Sequence, residues 1–392
     1  MKVAIYSGEI PSTAFVENLI SGLAERSGYE MLLFGKKKNT YHKPNGNIKI
    51  HFFPKSHVAT LLRFCVEIVI SLTHFNRLLK LIKVMKDKKA GSVLYTMSLF
   101  TRYLIVVNNL PDIFHVQWIK TGHEWLFLRE FGVKVVGSFR GSHINYSPIA
   151  DSSLAATYRK TFKEYDGFHA VSYDIAKEAG KYSLNGCTTY RIPGAVDDNL
   201  VNKKLDAKRI NGTLKFVSVG RGHWIKGYSY VLEACRVLAQ KKIDFNYTIV
   251  GAAGNEELLY LIDDMGIGRH VTLTKIVPHD HVFDYYRKND LLLLPSLKEG
   301  IANVVLEAMA TGMPVLSTDA GGMGEVITNG VNGWLVPPRD PKAIVEVIMN
   351  IIKGKWDIDK IVANARVTIE QDHLLSGQIS AFDKMYKEIL NS

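Results

Sequence analysis

Short apolar runs rich in Val, Ile, Leu and Phe recur along most of the chain, and helical patterns alternate with them. This alternation restricts the fold more than any other feature. Strands buried on both faces read as unbroken apolar runs, and a parallel sheet covered by helices on each side provides that burial. The expected strands lie at 3–6, 31–34, 48–53, 92–95, 113–116, 134–139 and 167–172, then at 214–219, 246–251, 270–274, 290–295, 314–317 and 333–336. They group into two similar α/β units, each a doubly wound sheet. A length of 392 residues agrees, being too long for one ordinary core. The polar, turn-rich segment RIPGAVDDNLVNKKLDAKRINGT separates the units, so the expected domains are 1–195 and 213–375, with a last helix within 376–392 that can pack on either. Sheets of this kind bind ligands at the carboxyl ends of their strands, and two units facing each other would form a cleft, so function is expected on strand-to-helix loops.

Composition excludes several classes. At 47% hydrophobic and 22% charged residues the chain is not disordered. Cys65, Cys187 and Cys235 are far apart and form no C-x-x-C, which excludes a disulfide scaffold and a Cys-rich metal site and fits a reducing, cytoplasmic setting. The start MKVAIYSGEIP reads as a first strand and not as a signal peptide. The nearest approach to a spanning segment, 58–73, is broken by Arg63 and Glu67. Charge is uneven: residues 1–100 hold 15 Lys+Arg against 6 Asp+Glu, a net +9, whereas 201–392 hold 23 against 22, a net +1. A positive first part favours an anionic partner, whether nucleic acid, a membrane surface or a phosphorylated substrate. The apolar stretch 56–89 closes with Arg77, Lys80, Lys83, Lys86, Lys88 and Lys89. It reads either as a basic amphipathic element on an anionic membrane or as an ordinary domain helix with a solvated face, and we favour the membrane.

Two segments carry chemistry. In LLLLPSLKEGIANVVLEAMATGMPVLSTDAGGMGEVITNGVNGWLVPP, residues 291–338, a buried strand ends at Pro295 and a loop presents Glu299 and Gly300. A helix is expected from Asn303, its N-cap, to Thr311, stopped by Gly312. Amides at Ile301, Ala302, Asn303 and Val304 would face an anion such as a phosphate, while Glu299 and Glu307 bracket the ligand and accept hydroxyl hydrogen bonds. A sugar joined to a phosphate suits such a site. In SVGRGHWIKGYSYVLEAC, residues 218–235, a strand leads to Gly220 and Arg221, and a loop delivers Lys226 and Gly227 to a helix start. Two cations there can neutralise a diphosphate, and more strongly as it leaves with growing charge, which gives Arg221 and Lys226 a catalytic role.

The pair G-R-x4-K-G (220–227) and E-x7-E (Glu299, Glu307), with the trailing GGMGEVITNGVNGWLVPP, resembles the donor domain of the family-4 retaining glycosyltransferases of GT-B fold. The resemblance covers roughly residues 214–345. IPSTAFVENLISGLAERSGYEMLLFG and RIPGAVD also resemble that family, especially members that build bacterial surface polysaccharides. It implies two Rossmann-like domains, the first for the acceptor and the second for a nucleotide-sugar donor. It further implies that Glu307 holds the ribose hydroxyls, Glu299 contacts the transferred sugar and backbone near Pro278 meets the base. Transfer of a hexosyl or N-acetylhexosaminyl group to a glycan or lipid-linked acceptor would retain the anomeric configuration, with no metal and no other cofactor. The departing diphosphate oxygen would take the acceptor proton.

The acceptor side departs from that family's H-G-x-D pattern, since Arg140-Gly141-Ser142-His143 stands in its place. An acidic or phosphorylated acceptor would explain Arg140, and His143 could take over a polar contact. His115 and Gln117, after another strand, and Gly8, after the first, are further acceptor-side candidates, although lone His and Arg residues also commonly satisfy buried carbonyls. Asp357-Ile358-Asp359 follows a helix, not a strand end, and His279-Asp280-His281 converges weakly, so neither reads as a metal site. Two rivals remain: a nucleotide-sugar epimerase of the same architecture, and a basic nucleic-acid-binding protein, which lacks an RNA-binding aromatic motif. We expect no nucleic-acid partner.

Overall fold

The computed structural model describes residues 1–38, 46–86, 88, 91–184, 186–202 and 212–392. The chain forms two compact units: Met1–Ala170 with Glu178–Arg191 and Ile379–Ser392, and Val171–Lys177 with Ile192–Gln378. Of the expected boundary segment, 203–211 lies outside the described residues.

The first unit holds a 7-stranded parallel sheet of order β3-β2-β1-β4-β5-β6-β7. Its strands are β1 Lys2–Ile10, β2 Glu30–Lys37, β3 Ile48–Phe53, β4 Ile113–Val116, β5 Lys134–Phe139, β6 Gly167–Ala170 and β7 Thr189–Arg191. Chain order reverses between β1 and β4, which pair from Val3↔Ile113 to Tyr6↔Val116. The sequence reading missed β7, whose three residues are half-buried and show no alternation. It also expected a strand at 92–95, which is a correction. Ser92 caps the helix Val93–Val107 instead, its hydroxyl accepting from the Tyr95 amide at 3.3 Å. The local β-like run belongs to an apolar stretch too long for a strand, and helical spacing prevails over its length.

The second unit holds a 6-stranded parallel sheet of order β10-β9-β8-β11-β12-β13. Here β8 is Leu214–Val219, β9 Phe245–Val250, β10 Val271–Thr274, β11 Leu291–Leu294, β12 Val315–Thr318 and β13 Trp334–Val336. Period-two alternation divides its core. Leu291 and Leu293 join Phe216, Leu232 and Ile348 on one face, while Leu292 and Leu294 join Val217, Leu306 and Ile369 on the other. Both faces are therefore closed by helices, and polar chemistry is confined to strand ends. Chain order reverses between β8 and β11, where Leu291 pairs with Phe216.

The basic apolar stretch 56–89 is not one helix but two, His57–Leu72 and Phe75–Lys86; Lys89 lies outside the described residues. The first helix is inverted. It buries Thr60, Glu67 and Ser71 and leaves Val58, Leu62 and Val69 between 65% and 71% exposed. Glu67 meets Asn108 Nδ2 at 2.6 Å and Arg63 at 2.7 Å, and the Ser71 hydroxyl donates to the Glu67 carbonyl at 2.7 Å. Polar contacts thus dock this helix on its neighbour Val93–Val107 and turn its apolar side outward. Not all the basic run faces solvent: Lys80 donates to the Glu130 carbonyl, and Lys88 contacts the Tyr103 hydroxyl. Arg77, Lys83 and Lys86 have no ion-pair partner among the described residues. No helix of the described residues is long and apolar enough to cross a membrane.

Substitution should separate the two apolar populations. Leu293→Ala is expected to cost about 2–5 kcal/mol in denaturant unfolding, whereas Val69→Ala on the exposed face should change stability by less than about 0.5 kcal/mol.

Candidate functional site

The chain-order reversal between β8 and β11 is where a doubly wound sheet opens to ligands. Both strands lead there into the segments singled out from sequence. After β8 the chain passes Gly220 and Arg221, makes a short 3-10 turn at Trp224–Lys226 and enters the helix Tyr228–Gln240. The junction is Gly227, at φ +64°, where a Cβ would stand 2.1 Å from the Pro295 carbonyl oxygen. Only glycine fits this left-handed turn against the exit of β11. The close approach brings Lys226 Nζ to 2.6 Å from Glu299 Oε1, which also accepts the Ser296 hydroxyl at 2.6 Å. Glu299 Oε2 has no partner among the described residues. Arg221 is exposed and makes no ion pair among them.

The 299–300 loop is held from behind. At Gly321 and Gly322 an added Cβ would lie 2.1 Å from the Glu299 and Gly300 carbonyl oxygens respectively. This backbone-on-backbone contact accounts for the glycine pair. Glu325 accepts from the Tyr173 and Asp174 amides at 3.0 and 3.1 Å, and Lys298 pairs with Asp174 at 2.8 Å.

Glu307 is buried in the helix Asn303–Ala310. Its Oε1 lies 2.8 Å from His279 Nε2, and its Oε2 accepts from the Tyr286 hydroxyl at 3.1 Å. Hydrogen bonding to this carboxylate raises the His279 pKa, while burial and then the Glu307 charge push the Tyr286 hydroxyl far up. Both partners sit on the helix His279–Lys288, whose N-cap is Pro278. Sequence reasoning had set His279 aside as part of a weak metal motif and did not single out Tyr286. Their seven-residue spacing on one helix face was the available signal.

Asn303, expected as the N-cap, is instead the first helical residue; the cap position is Ala302, which has no side-chain acceptor. Asn303 Oδ1 lies against Gly194, 3.0 Å from where its Cβ would be. The amides of Ile301, Ala302, Asn303 and Val304 consequently have no acceptor among the described residues. Other helices of this unit are capped internally, by Asn255, Asp340 and Asp357. The helices beginning at Tyr228, His279 and Asn303 lack a side-chain cap. Four free donors with the helix dipole behind them form a site for an anion.

The acceptor-side candidates lie in the first unit. Gly8, at φ +87°, follows a register shift in β1. His115 is fully buried, a correction to its expected place facing a ligand. Its Nδ1 lies 2.7 Å from the Tyr386 hydroxyl and its Nε2 2.8 Å from Ser138 Oγ, and burial, helped by the Arg140 charge, drives its pKa down to about 3. Gln117 is buried as well and accepts from Arg140 at 2.8 Å. Arg140, Gly141 and His143 follow β5 and are partly exposed. Among the described residues no group of three or more His, Cys, Asp or Glu could hold a metal, and Asp357 serves as a helix cap.

Residues 202–368 match the family model described as glycosyl transferases group 1. The amylovoran biosynthesis glycosyltransferase AmsK of Erwinia amylovora is 35% identical over 287 residues, covering 69% of each chain. Among solved structures, sucrose-phosphate synthase from Thermosynechococcus elongatus aligns with a TM-score of 0.76 at 15% identity, covering 100% of this chain and 99% of its own. Anabaena Alr3699/HepE in complex with UDP-glucose aligns at 0.69 and 17%, covering 99% and 100%. These similarities in fold agree with the GT-B class, and none of these relatives is an epimerase or a nucleic-acid-binding protein. With a relative of that identity and coverage, and with two parallel α/β sheets, the chain belongs to the group 1 glycosyltransferases.

Proposed function

We propose that this glycosyltransferase moves a hexosyl or N-acetylhexosaminyl group from a nucleotide diphosphate sugar to a glycan or lipid-linked acceptor, with retention of configuration, in building a cell-surface polysaccharide. The observation that carries the reading is that the chain leaving β8 and β11 supplies the Lys226–Glu299 pair, the buried Glu307 and four unpaired amides. The relative named for amylovoran biosynthesis and the neighbour solved with UDP-glucose support the substrate class.

In this reading the amides of 301–304, Arg221 and Lys226 receive the diphosphate, with Gly220 and Gly300 giving close backbone approach. Glu307 takes the ribose hydroxyls, held in place by His279 and Tyr286, and backbone at Pro278 meets the base. Glu299 offers its free Oε2 to a sugar hydroxyl. As the bond from the anomeric carbon to the diphosphate oxygen breaks, negative charge grows on that oxygen, so the cations and amides bind the transition state more strongly than the ground state. The acceptor oxygen bonds to the anomeric carbon, and its proton passes to the departing diphosphate. Positive charge from Arg221, Lys226 and the helix N-terminus takes the part a metal would play, so neither a metal nor a cofactor belongs to the proposal. We place the enzyme in the cytoplasm, against the inner membrane through the apolar, basic surface of 56–89. The exposed side of the inverted helix, with Arg77, Lys83 and Lys86 nearby, supports that placement.

A thermal-shift screen of UDP-, GDP- and ADP-sugars should find one that raises the melting temperature in proportion to the logarithm of its concentration. Lys226→Ala and Glu307→Ala are expected to abolish transfer, measured by product formation, and to weaken that shift while the protein stays folded; wild-type turnover in either would contradict the assignment. Ala302→Ser supplies the missing cap. It should stabilise the protein by about 1 kcal/mol and weaken donor binding several-fold, because the new hydroxyl competes for the free amides. Because the His279 pKa is raised in the fold, its pairing with Glu307 stabilises fully below about pH 6.5 and is lost as pH rises through the folded value. The difference in melting temperature between wild type and His279→Gln should therefore shrink from pH 6 towards pH 9.

A further inference from the structure

Arg140 leaves the carboxyl end of β5 in the first unit and has no carboxylate partner among the described residues. Of the five N–H donors of its guanidinium, one is used, by Gln117 Oε1 at 2.8 Å. Its Nε is buried and unpartnered, and the group lies 4.6 Å over the Phe15 ring. Three other arginines of the unit are paired, Arg26 with Asp383, Arg63 with Glu67 and Arg129 with Asp166, whereas Arg77, like Arg140, has no ion-pair partner among the described residues. A desolvated cation without a counter-charge costs stability, so a ligand anion is the natural complement.

The surroundings agree. His143, three residues on, has a buried Nδ1 without a partner and stands edge-on to Trp118 at 5.6 Å. Burial, and then Lys120, lowers its pKa, so Lys120 adds positive potential there, a charge it shares with exposed Asp151. Burial pulls the Arg140 guanidinium down to about 10, and Tyr386 acts on it in the opposite direction. At Gly141, between the two side chains, an added Cβ would meet nothing within 4 Å, so the loop borders open space. Arg140 also sits at the end of a buried relay, through Gln117 to His115 and on to Tyr386 and Ser138, which fixes its direction.

We propose that Arg140, with the His143 ring beside it, is an oxyanion subsite that selects an acceptor bearing a carboxylate or phosphate group. The fork of a guanidinium suits either, as two parallel hydrogen bonds. The proposal rests on the glycosyl-transfer reading only in calling the ligand the acceptor. The subsite itself lies in the first unit, apart from the residues assigned to the donor.

The test compares methyl glucuronide with neutral methyl glucoside in NMR titrations of the full chain, and glycerol 3-phosphate with glycerol in the presence of saturating nucleotide diphosphate. Wild type should prefer the charged member of at least one pair by roughly tenfold or more, and the pair that shows it tells carboxylate from phosphate. Arg140→Gln should abolish the preference while nucleotide affinity is kept, and Arg140→Lys, with charge but no fork, should recover part of it. Arg140→Gln should also melt within a few degrees of wild type, since it removes an unpaired charge. Equal binding of charged and neutral probes by wild type, an undiminished preference in Arg140→Gln, or a large fall in its melting temperature would each overturn the proposal. Failure of every nucleotide sugar to bind would overturn the transferase reading instead and leave the glucuronide comparison intact.

Discussion

Everything in this chain follows from burying parallel sheets on both faces. In β11 the residues Leu291 and Leu293 serve one core and Leu292 and Leu294 the other, so no position within the strand is free for polar chemistry. Such a sheet satisfies its own backbone groups, and uncommitted donors and acceptors gather where strands end. The two chain-order reversals, β1 against β4 and β8 against β11, mark those places.

At strand ends in both units the fold tolerates polar groups it could have satisfied internally. The second unit leaves four amides of one helix start open while capping three other helices with Asn255, Asp340 and Asp357. The first unit leaves a guanidinium without a counter-charge while pairing Arg26 and Arg129. Unsatisfied groups at strand ends, set beside satisfied ones elsewhere, are what separates a ligand site from a turn. Lys226 and Glu299 belong between these extremes, since each satisfies the other within the fold.

The strands and the segments 218–235 and 291–338 were legible because their signals are local. Apolar runs of four to six residues mark buried strands, and G-R-x4-K-G binds function to a glycine turn within eight residues. Less local features were hidden. A strand was expected at 92–95 because four residues cannot show the helical spacing that the whole of Val93–Val107 displays. Asn303 has the composition of a cap, but Gly194, over a hundred positions away, takes up its side chain. The tie between His279 and Glu307 joins two helices that only the fold brings together. The buried state of His115 depends on Tyr386, from the last helix. The inverted helix is the opposite case: its apolar content was plain, and only the polar dock of Glu67 and Ser71 decided which way that content faces.

The glycine pair at 321–322 sets terms for anyone redesigning the 299–300 loop. Because those residues press directly on the Glu299 and Gly300 carbonyls, mutational libraries that vary this wall will mostly yield misfolded clones, whatever chemistry they introduce. Diversity is better introduced where side chains already reach water, such as at Lys275 and Ile276 ahead of Pro278. The rigid wall would then serve as a fixed datum against which new pockets can be compared.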